Sequence, residues 1–158
     1  MKNITQKMIV AISAALIMSV SLAASAVTVS PAGMITASGP TTLDDGNGLV
    51  VPCTTTMTGN VSTGGNVTIA SASFSGSDPR CSFVQAANLP WTGQFASNAA
   101  SLTLNAVEVD VPLLSVMCGP ASVTPSYANS TVTFNSTSLG ACSIDGSLNI
   151  TPTQTVTP

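Results

Sequence analysis

The chain contains no histidine and very few charged side chains. Lysine and arginine together number 3, aspartate and glutamate 6, and charged residues make up 6% of the 158 residues, whereas about a quarter is usual in globular proteins. Without histidine the commonest general base is missing. With one tryptophan and one tyrosine, the chain also lacks the aromatic residues that usually line a sugar-cleaving cleft. We therefore expect a protein that is not an enzyme.

Most of the few basic residues lie near the start of the chain. Lys2 and Lys7 precede an apolar run from Met8 to about Ala23, which the small residues Ala24–Ala26 follow. This pattern is typical of a cleaved secretory signal peptide, so we interpret residues 1–26 as a signal and expect the mature chain to begin at Val27. The run is short of the ~20 residues that an uncleaved anchor prefers. The sequence thus predicts a secreted, extracellular protein with no integral membrane segment after cleavage.

Removal of the signal leaves a chain that is almost without positive charge. Arg80 is then the one basic residue against six acids, which gives a net charge of −5. Such a chain cannot neutralise several phosphates or hold an anionic lipid surface. We therefore expect neither nucleic acids nor acidic membranes as its partners.

The chain repeats one cysteine-bounded unit. The segment from Cys53 to Cys81 recurs as Cys118 to Cys142, where STVTFNSTSLG aligns with GNVTIASASFSG. An internal repeat of this kind indicates a duplicated architecture. We expect a single domain over residues 27–158, built from related halves at about 39–93 and 101–158.

Four cysteines in an exported chain predict two disulfides. The repeat favours the pairs Cys53–Cys81 and Cys118–Cys142, because each half then closes itself; loops of this length contribute about 3 to 4 kcal/mol each on a chain-entropy estimate. A zinc site would need all four thiolates to converge, and the chain has no CxxC pair and no histidine. The sequence therefore predicts neither a metal nor a cofactor.

The remaining pattern is that of β-strands. Ser101 to Val111 alternates apolar and polar residues with one slip at Ala106-Val107, which is typical of a half-buried strand with a bulge. Short alternating runs recur every 8 to 12 residues between Gly, Pro and Asn, as in sandwiches and barrels. We expect an all-β fold, a disulfide-stapled antiparallel β-sandwich or closed barrel.

Four segments carry more specific expectations. Asp44 to Gly48 is predicted to form a hairpin tip. The alternative of a calcium loop is not favoured, because the spacing of the acidic residues does not match one. Cys81 to Ala87 is predicted as a strand, and Gln94 to Ala100 as one helical turn. The tail from Pro152 to Pro158 is predicted as an extended edge or frayed end.

Two carboxylates share one strand face. Glu108 and Asp110 are two residues apart, so their side chains point the same way. Such a pair could serve a glycosidase, which needs two carboxyl groups roughly 5 to 9.5 Å apart. It could equally be a charged outer face that protects a strand edge from pairing, and this second interpretation is the one we favour.

Several short motifs resemble a known bacterial family. They are GPTTL at Gly39–Leu43, VPCT at Val51–Thr54, VTI at Val67–Ile69, ASFSG at Ala72–Gly76 before Cys81, LPW at Leu89–Trp91, CGP at Cys118–Pro120, STVTF at Ser130–Phe134 and the closing Cys142. Over nearly the whole mature chain this pattern resembles the PraB-like secreted activators of alkane oxidation. The shared positions are cysteines and turns, so no catalytic residue can be carried over.

The resemblance implies a secreted protein that promotes growth on long-chain n-alkanes without oxidising them itself. We expect it to act at the oil-water interface, with hydrocarbon or the cell surface as its partner. The candidate contact residues are Met34, Ile35, Met57, Trp91 and Phe95. The alternative is a structural subunit of a surface fibre or biofilm matrix, in which the apolar segment Val27–Ile35 complements a neighbouring sheet; self-association is open in both cases.

The signal interpretation has a direct test. The intact mass of protein recovered from the culture medium should correspond to a chain that begins at Val27, because the small-residue site before it is the kind that signal peptidases cut. A membrane-fraction species that retains Lys2 and Lys7 would contradict both the cleavage and the predicted compartment.

Overall fold

The computed structural model describes residues 27–158, which form twelve β-strands. The predicted signal peptide, residues 1–26, lies outside the described residues. The strands are β1 (Thr28–Ser30), β2 (Gly33–Asp44), β3 (Val50–Val61), β4 (Asn66–Ser75), β5 (Gln85–Ala87), β6 (Trp91–Phe95), β7 (Leu102–Val111), β8 (Val116–Val123), β9 (Ser126–Ala128), β10 (Thr131–Leu139), β11 (Cys142–Thr151) and β12 (Thr155–Thr157). Two short 3₁₀ helices, Pro79–Phe83 and Pro112–Leu114, complete the regular structure of these residues.

Ten of the strands form one antiparallel sheet. From one edge to the other its order is β8, β7, then β5 and β6 side by side along β7, and then β4, β3, β2, β11, β10 and β9. Strands β1 and β12 pair only with each other and form a second, two-stranded sheet. The all-β antiparallel prediction is therefore confirmed.

The large sheet folds over on itself, and its two halves pack face to face. Inward side chains of β2, β3 and β4, such as Val51 and Ile69, line the same interior as Leu104 of β7 and Phe134 of β10. Within residues 27–158, β9 meets the segment before β7 through the isolated bridge Ser101↔Ser126 and not as a paired strand, so no closed barrel of strands is found. A sandwich is thus the form that the structure supports.

Two disulfides cross-link the sandwich. Cys53 of β3 is bonded to Cys81 in the helix Pro79–Phe83, and Cys118 of β8 to Cys142 at the start of β11. This is the pairing that the sequence repeat predicts. The second bond joins strands that lie far apart in the sheet order, whereas the first closes a hairpin unit, so the relation between the halves remains a prediction.

The strand register places both disulfides at one end of the molecule. At this end lie the turn between β2 and β3, the helix Pro79–Phe83, the turn between β7 and β8, and the turn between β10 and β11. We call it the disulfide end. The opposite end, which we call the β1–β12 end, carries those two strands, the β3–β4 turn and the β9–β10 turn.

Two local predictions are wrong. Gln94 and Phe95 belong to strand β6 and not to a helical turn, because this segment is hydrogen-bonded between β4 and β7. The predicted strand Cys81–Ala87 begins as a 3₁₀ helix, which Pro79 favours and which Asp78 caps by accepting a hydrogen bond from Arg80 N at 2.9 Å. Only Gln85–Ala87 is strand.

Other local predictions are confirmed. The bulge in β7 falls at Ala106, whose φ of 56° accompanies the register shift between Leu104 and Val107. The turn after β2 is closed by Asp45, whose Oδ1 accepts hydrogen bonds from Asn47 N at 2.8 Å and Leu49 N at 2.9 Å. The tail is extended, and its residues Thr155–Thr157 form β12.

The N-terminal segment is engaged within its own chain. Val27 and Val29 are buried, and β1 pairs with β12 through Val29↔Val156. The position that a Cβ atom on Gly65 would take is filled by Val27, so this segment packs closely on the β3–β4 turn. In this structure the segment thus contacts its own chain, and its complementation of a neighbouring sheet in the fibre alternative stays a prediction.

A buried hydroxyl pair in the core gives a stability prediction. Thr41 Oγ1 and Thr55 Oγ1 lie 2.6 Å apart, and both residues are buried. Thr55→Val should lower the free energy of unfolding by about 1 to 3 kcal/mol, because it leaves the Thr41 hydroxyl buried without its partner. Denaturant unfolding measures the change.

The double variant Thr41→Val/Thr55→Val is the informative comparison, since replacing both partners by apolar groups of similar shape costs little. It should recover most of the loss. Thr58→Val removes one partner of the exposed Thr58–Ser71 pair and serves as a control, with an expected change within about 0.5 kcal/mol. A double variant less stable than Thr55→Val would contradict this account.

Candidate functional site

Three of the five predicted contact residues lie in the core. Trp91 is 0% exposed and its Nε1 donates a hydrogen bond to Ala87 O at 2.8 Å. Ile35 and Phe95 are also buried, and the Phe95 ring packs edge-on against Tyr127. These side chains build the sandwich, so in this structure they cannot touch an external hydrocarbon.

The other two predicted residues differ from each other. Met57 is partly buried and lines the interior. Met34 is 79% exposed and lies near the β1–β12 end, opposite Asn60 of β3. The structure does not bring the five residues together into one surface.

The exposed large apolar side chains lie mainly at the disulfide end. Apart from Met34, the described residues of this kind are Val50, Phe83, Leu113, Leu114 and Met117. All five sit at or beside the turns of that end. Together they form what we call the apolar tip, and sequence reasoning missed every one of them.

The turn between β7 and β8 carries the most exposed part of the apolar tip. Pro112 starts a single 3₁₀ turn after the buried Val111, and Ser115 N closes it by donating to Pro112 O at 3.1 Å. Ser115 takes a left-handed conformation with φ of 54°, which returns the chain into β8. Leu113 is left 68% exposed at the crest of this turn.

Phe83 is positioned by the other 3₁₀ helix. Cys81 is buried in this helix, so the Cys53–Cys81 bond fixes it against β3. Asp78 and Arg80 form an ion pair at its start, with Nη2 and Oδ2 2.6 Å apart. The hydrogen bonds from Arg80 hold the pKa of the Asp78 carboxyl below its ordinary value. Phe83, in the helix's last turn, is left partly exposed.

Met117 lies in a row across three strands. It pairs with Asp110 of β7, which pairs on its other side with Gln85 of β5. Glu108 and Asp110 point to the outer face, as the pattern predicted, because Val107, Val109 and Val111 between and beside them point into the core. The predicted protection of a strand edge is wrong, since β7 pairs with β5 and β6 on one side and with β8 on the other. Asp110 Oδ1 is shielded and has no hydrogen-bond partner in the described part of the chain.

All charged side chains of residues 27–158 lie in the half of the molecule toward the disulfide end. They are Asp44, Asp45, Asp78, Arg80, Glu108, Asp110 and Asp145. The β1–β12 end carries no charged side chain in the described range. The apolar tip and the charged side chains of residues 27–158 therefore lie toward the same end of the molecule.

The interior offers no room for a chain-like ligand. Among the described residues two apolar voids lie inside the sandwich, with cavity volumes of about 30 and 20 Å³. Small-molecule pockets usually measure about 300 to 1,000 Å³, so these voids are gaps in packing. Contact with a large apolar molecule would have to occur on the outer surface.

Residues 27–158 contain neither a cluster of metal-binding side chains nor a membrane-spanning helix. The range contains no group of three or more acidic, histidine or cysteine side chains placed to hold a metal ion. It also contains no helix with the length and apolar character needed to cross a membrane.

Comparison with known proteins gave one match. The family model described as alkane oxidation protein activator PraA/PraB-like covers residues 1–158. No curated protein and no solved structure matches the chain.

Because the apolar tip is exposed and the core residues are buried, substitutions in these two sets should change stability by very different amounts. Leu113→Ser should change the free energy of unfolding by no more than about 0.5 kcal/mol, because an exposed side chain loses little on substitution. Trp91→Ala should cost about 3 to 5 kcal/mol through the cavity it leaves. Denaturant unfolding of both variants checks this, and a Leu113→Ser loss as large as that of Trp91→Ala would show that the tip is part of the core.

Proposed function

Because the chain belongs to the PraA/PraB-like family of alkane oxidation protein activators, we propose that it is a secreted, non-enzymatic protein that promotes growth on long-chain n-alkanes by adsorbing at the oil-water interface. The apolar tip at the disulfide end is the contact surface. The observation that supports this most is that five of the six exposed large apolar side chains of residues 27–158 lie at one end, with Leu113 68% and Met117 63% exposed.

The energy available from such a surface is sufficient for adsorption. Apolar area removed from water contributes about 25 cal/mol per Å². A patch of about 400 Å², which is ordinary for a functional surface on a monomer, would then contribute on the order of 10 kcal/mol before orientation costs. Leu113 and Leu114 sit at the crest of their turn, so they can enter hydrocarbon with little movement of the strands beneath them.

The low charge of the chain supports adsorption in a defined orientation. Moving ions out of water is costly, and the seven charged side chains of residues 27–158 all lie toward the end that carries the tip. The Asp78–Arg80 pair neutralises itself, whereas the remaining carboxylates are uncompensated. We expect these carboxylates to stay in water and to limit insertion to the crest of the turns.

The disulfides support adsorption without unfolding. Proteins that spread at interfaces usually expose their core, but both cross-links of this chain lie at the end proposed to meet the oil. There β3 cannot separate from the helix Pro79–Phe83, nor β8 from β11, without breaking a covalent bond. The small interior voids further support a surface mode in place of carriage of alkane inside the protein.

Pendant-drop tensiometry on hexadecane tests the proposal. The disulfide-intact protein should lower the interfacial tension, and Leu113→Ser/Leu114→Ser/Met117→Ser should lose most of this effect, because it removes apolar area without disturbing the core. Met34→Ser is the control, since it exchanges an even more exposed apolar residue for serine at the opposite end and should behave as the wild type.

The proposal fails if the wild-type protein lowers the tension no more than an inert secreted protein of equal size. It fails in its choice of surface if the triple variant and Met34→Ser lose activity equally. Growth of the corresponding strains on hexadecane and on acetate links the measurement to the cell, with a growth defect expected on hexadecane only.

A further inference from the structure

The β1–β12 end contains a groove that the proposed function does not use. Its volume is about 440 Å³, and it is lined along one wall by Thr153–Val156 and along the other by Tyr127–Ser130, with Ala99 at its margin. None of these residues is charged. A volume of this size is in the range of real binding sites.

The groove follows the edge of strand β12. Two of its lining residues, Thr155 and Val156, belong to β12, and Thr153 and Gln154 precede that strand. Because side chains of successive strand residues point to opposite faces, a groove that both Thr155 and Val156 line runs along the strand edge, where main-chain groups project. Among residues 27–158, β12 pairs only with β1. Its other edge therefore faces the groove.

The main chain of Val156 has no hydrogen-bond partner among the described residues on this edge. Val29, which lies opposite Val156, donates its N–H away from β12 to Thr63 O at 2.9 Å. The pair Val29↔Val156 is therefore a non-hydrogen-bonded pair, in which both residues direct their N–H and C=O groups outward. The groups of Val156 point into the groove.

Two residues before Val156, the main-chain groups of Gln154 are directed to the same side. Gln154 N donates to Ser130 Oγ at 2.6 Å, and Gln154 O accepts from Tyr127 Oη at 2.7 Å and from Ser130 Oγ at 2.9 Å. These bonds fix the tail to the β9–β10 turn and form the floor of the groove. The buried side-chain atom Gln154 Oε1 has no partner in the described range, so this wall leaves a second acceptor unused.

We infer that this edge joins a second copy of the chain through an antiparallel bridge with Val156 on a two-fold axis. In a hydrogen-bonded antiparallel pair, two residues exchange both of their N–H···O=C bonds. A two-fold axis at Val156 pairs this residue with itself, so one unpaired residue on each copy supplies both bonds. A two-fold interface uses the same surface on both copies, which is what a single open edge provides.

The charge distribution permits this contact. Each copy carries an excess of acids, yet all charged side chains of residues 27–158 lie toward the disulfide end. Joining the β1–β12 ends keeps the carboxylates of the two copies far apart, whereas contact between disulfide ends would bring like charges together. A partner of the same composition is thus accepted at this end.

Proline substitution tests the bridge. Val156→Pro removes the N–H and should weaken self-association of the exported protein by roughly tenfold or more, since it removes both symmetric bonds. Val156→Thr keeps the N–H and a branched side chain and is the matched control. Sedimentation equilibrium or native mass spectrometry up to millimolar concentration should give a dimer for wild type and Val156→Thr.

Cysteine cross-linking provides a second readout that does not depend on the proline variant folding. Two Val156 Cα atoms in such a bridge are about 5.5 Å apart, within the range that a disulfide spans. Val156→Cys should therefore form a covalent dimer under mild oxidation. Thr157→Cys should not, because Thr157 would face Thr155 of the second copy and stand roughly 8 Å from its counterpart.

A wild-type protein that stays monomeric at every concentration would overturn the inference. So would equal cross-linking of Val156→Cys and Thr157→Cys, or a dimer that Val156→Pro leaves intact. Loss of the dimer with unchanged tensiometry would leave the proposed function standing, because the two surfaces lie at opposite ends.

Discussion

The Cys118–Cys142 bond is the constraint on which the shape of the molecule depends. One antiparallel sheet supplies both layers of the sandwich, and this bond ties β8, at one edge of the sheet, to β11, near the other. On a chain-entropy estimate such a loop contributes about 3 to 4 kcal/mol. The same bond lies beside the turn that carries Leu113 and Leu114, so the fold and the apolar tip share one fixed point.

Scarcity of charge shapes the rest of the surface. One ion pair, Asp78–Arg80, is formed in residues 27–158, and cross-strand hydroxyl pairs are found where other proteins use ion pairs. Ser38 and Thr56, Thr58 and Ser71, and Thr103 and Thr124 make such contacts at 2.8, 2.6 and 3.2 Å. Hydroxyl pairs also stabilise neighbouring strands, and they do not carry the desolvation penalty of ions.

The sequence predicted the fold better than the site. Alternation in β7, including the bulge at Ala106, and the pairing of the cysteines could be read because strand faces and repeats leave local patterns. Exposure depends on which turn covers which residue, and this is set by tertiary packing. Leu113 and Leu114 carry no local signal of their exposure, whereas Trp91, one of the candidate contact residues, fills the core.

The helical-turn prediction at Gln94–Phe95 is wrong for a related reason. The local preference of this segment is weak, and pairing on both sides with β4 and β7 imposes a strand, as tertiary context often does. The open edge at Val156 was likewise invisible, since the sequence does not show that Thr63 accepts the N–H of Val29. Edges are defined by the strands around them.

A dimer formed at the β1–β12 end would determine how the two apolar tips are oriented. A dimer joined at the β1–β12 ends would direct its two apolar tips away from each other, because each tip lies at the opposite end of its copy. Such a particle could hold two apolar surfaces at once, and linked contacts strengthen binding well beyond a single one when both can engage. Adsorption at a droplet by one tip would leave the second tip facing water, where it could meet another droplet or the cell. The two disulfides at each tip would keep it folded before that second contact forms.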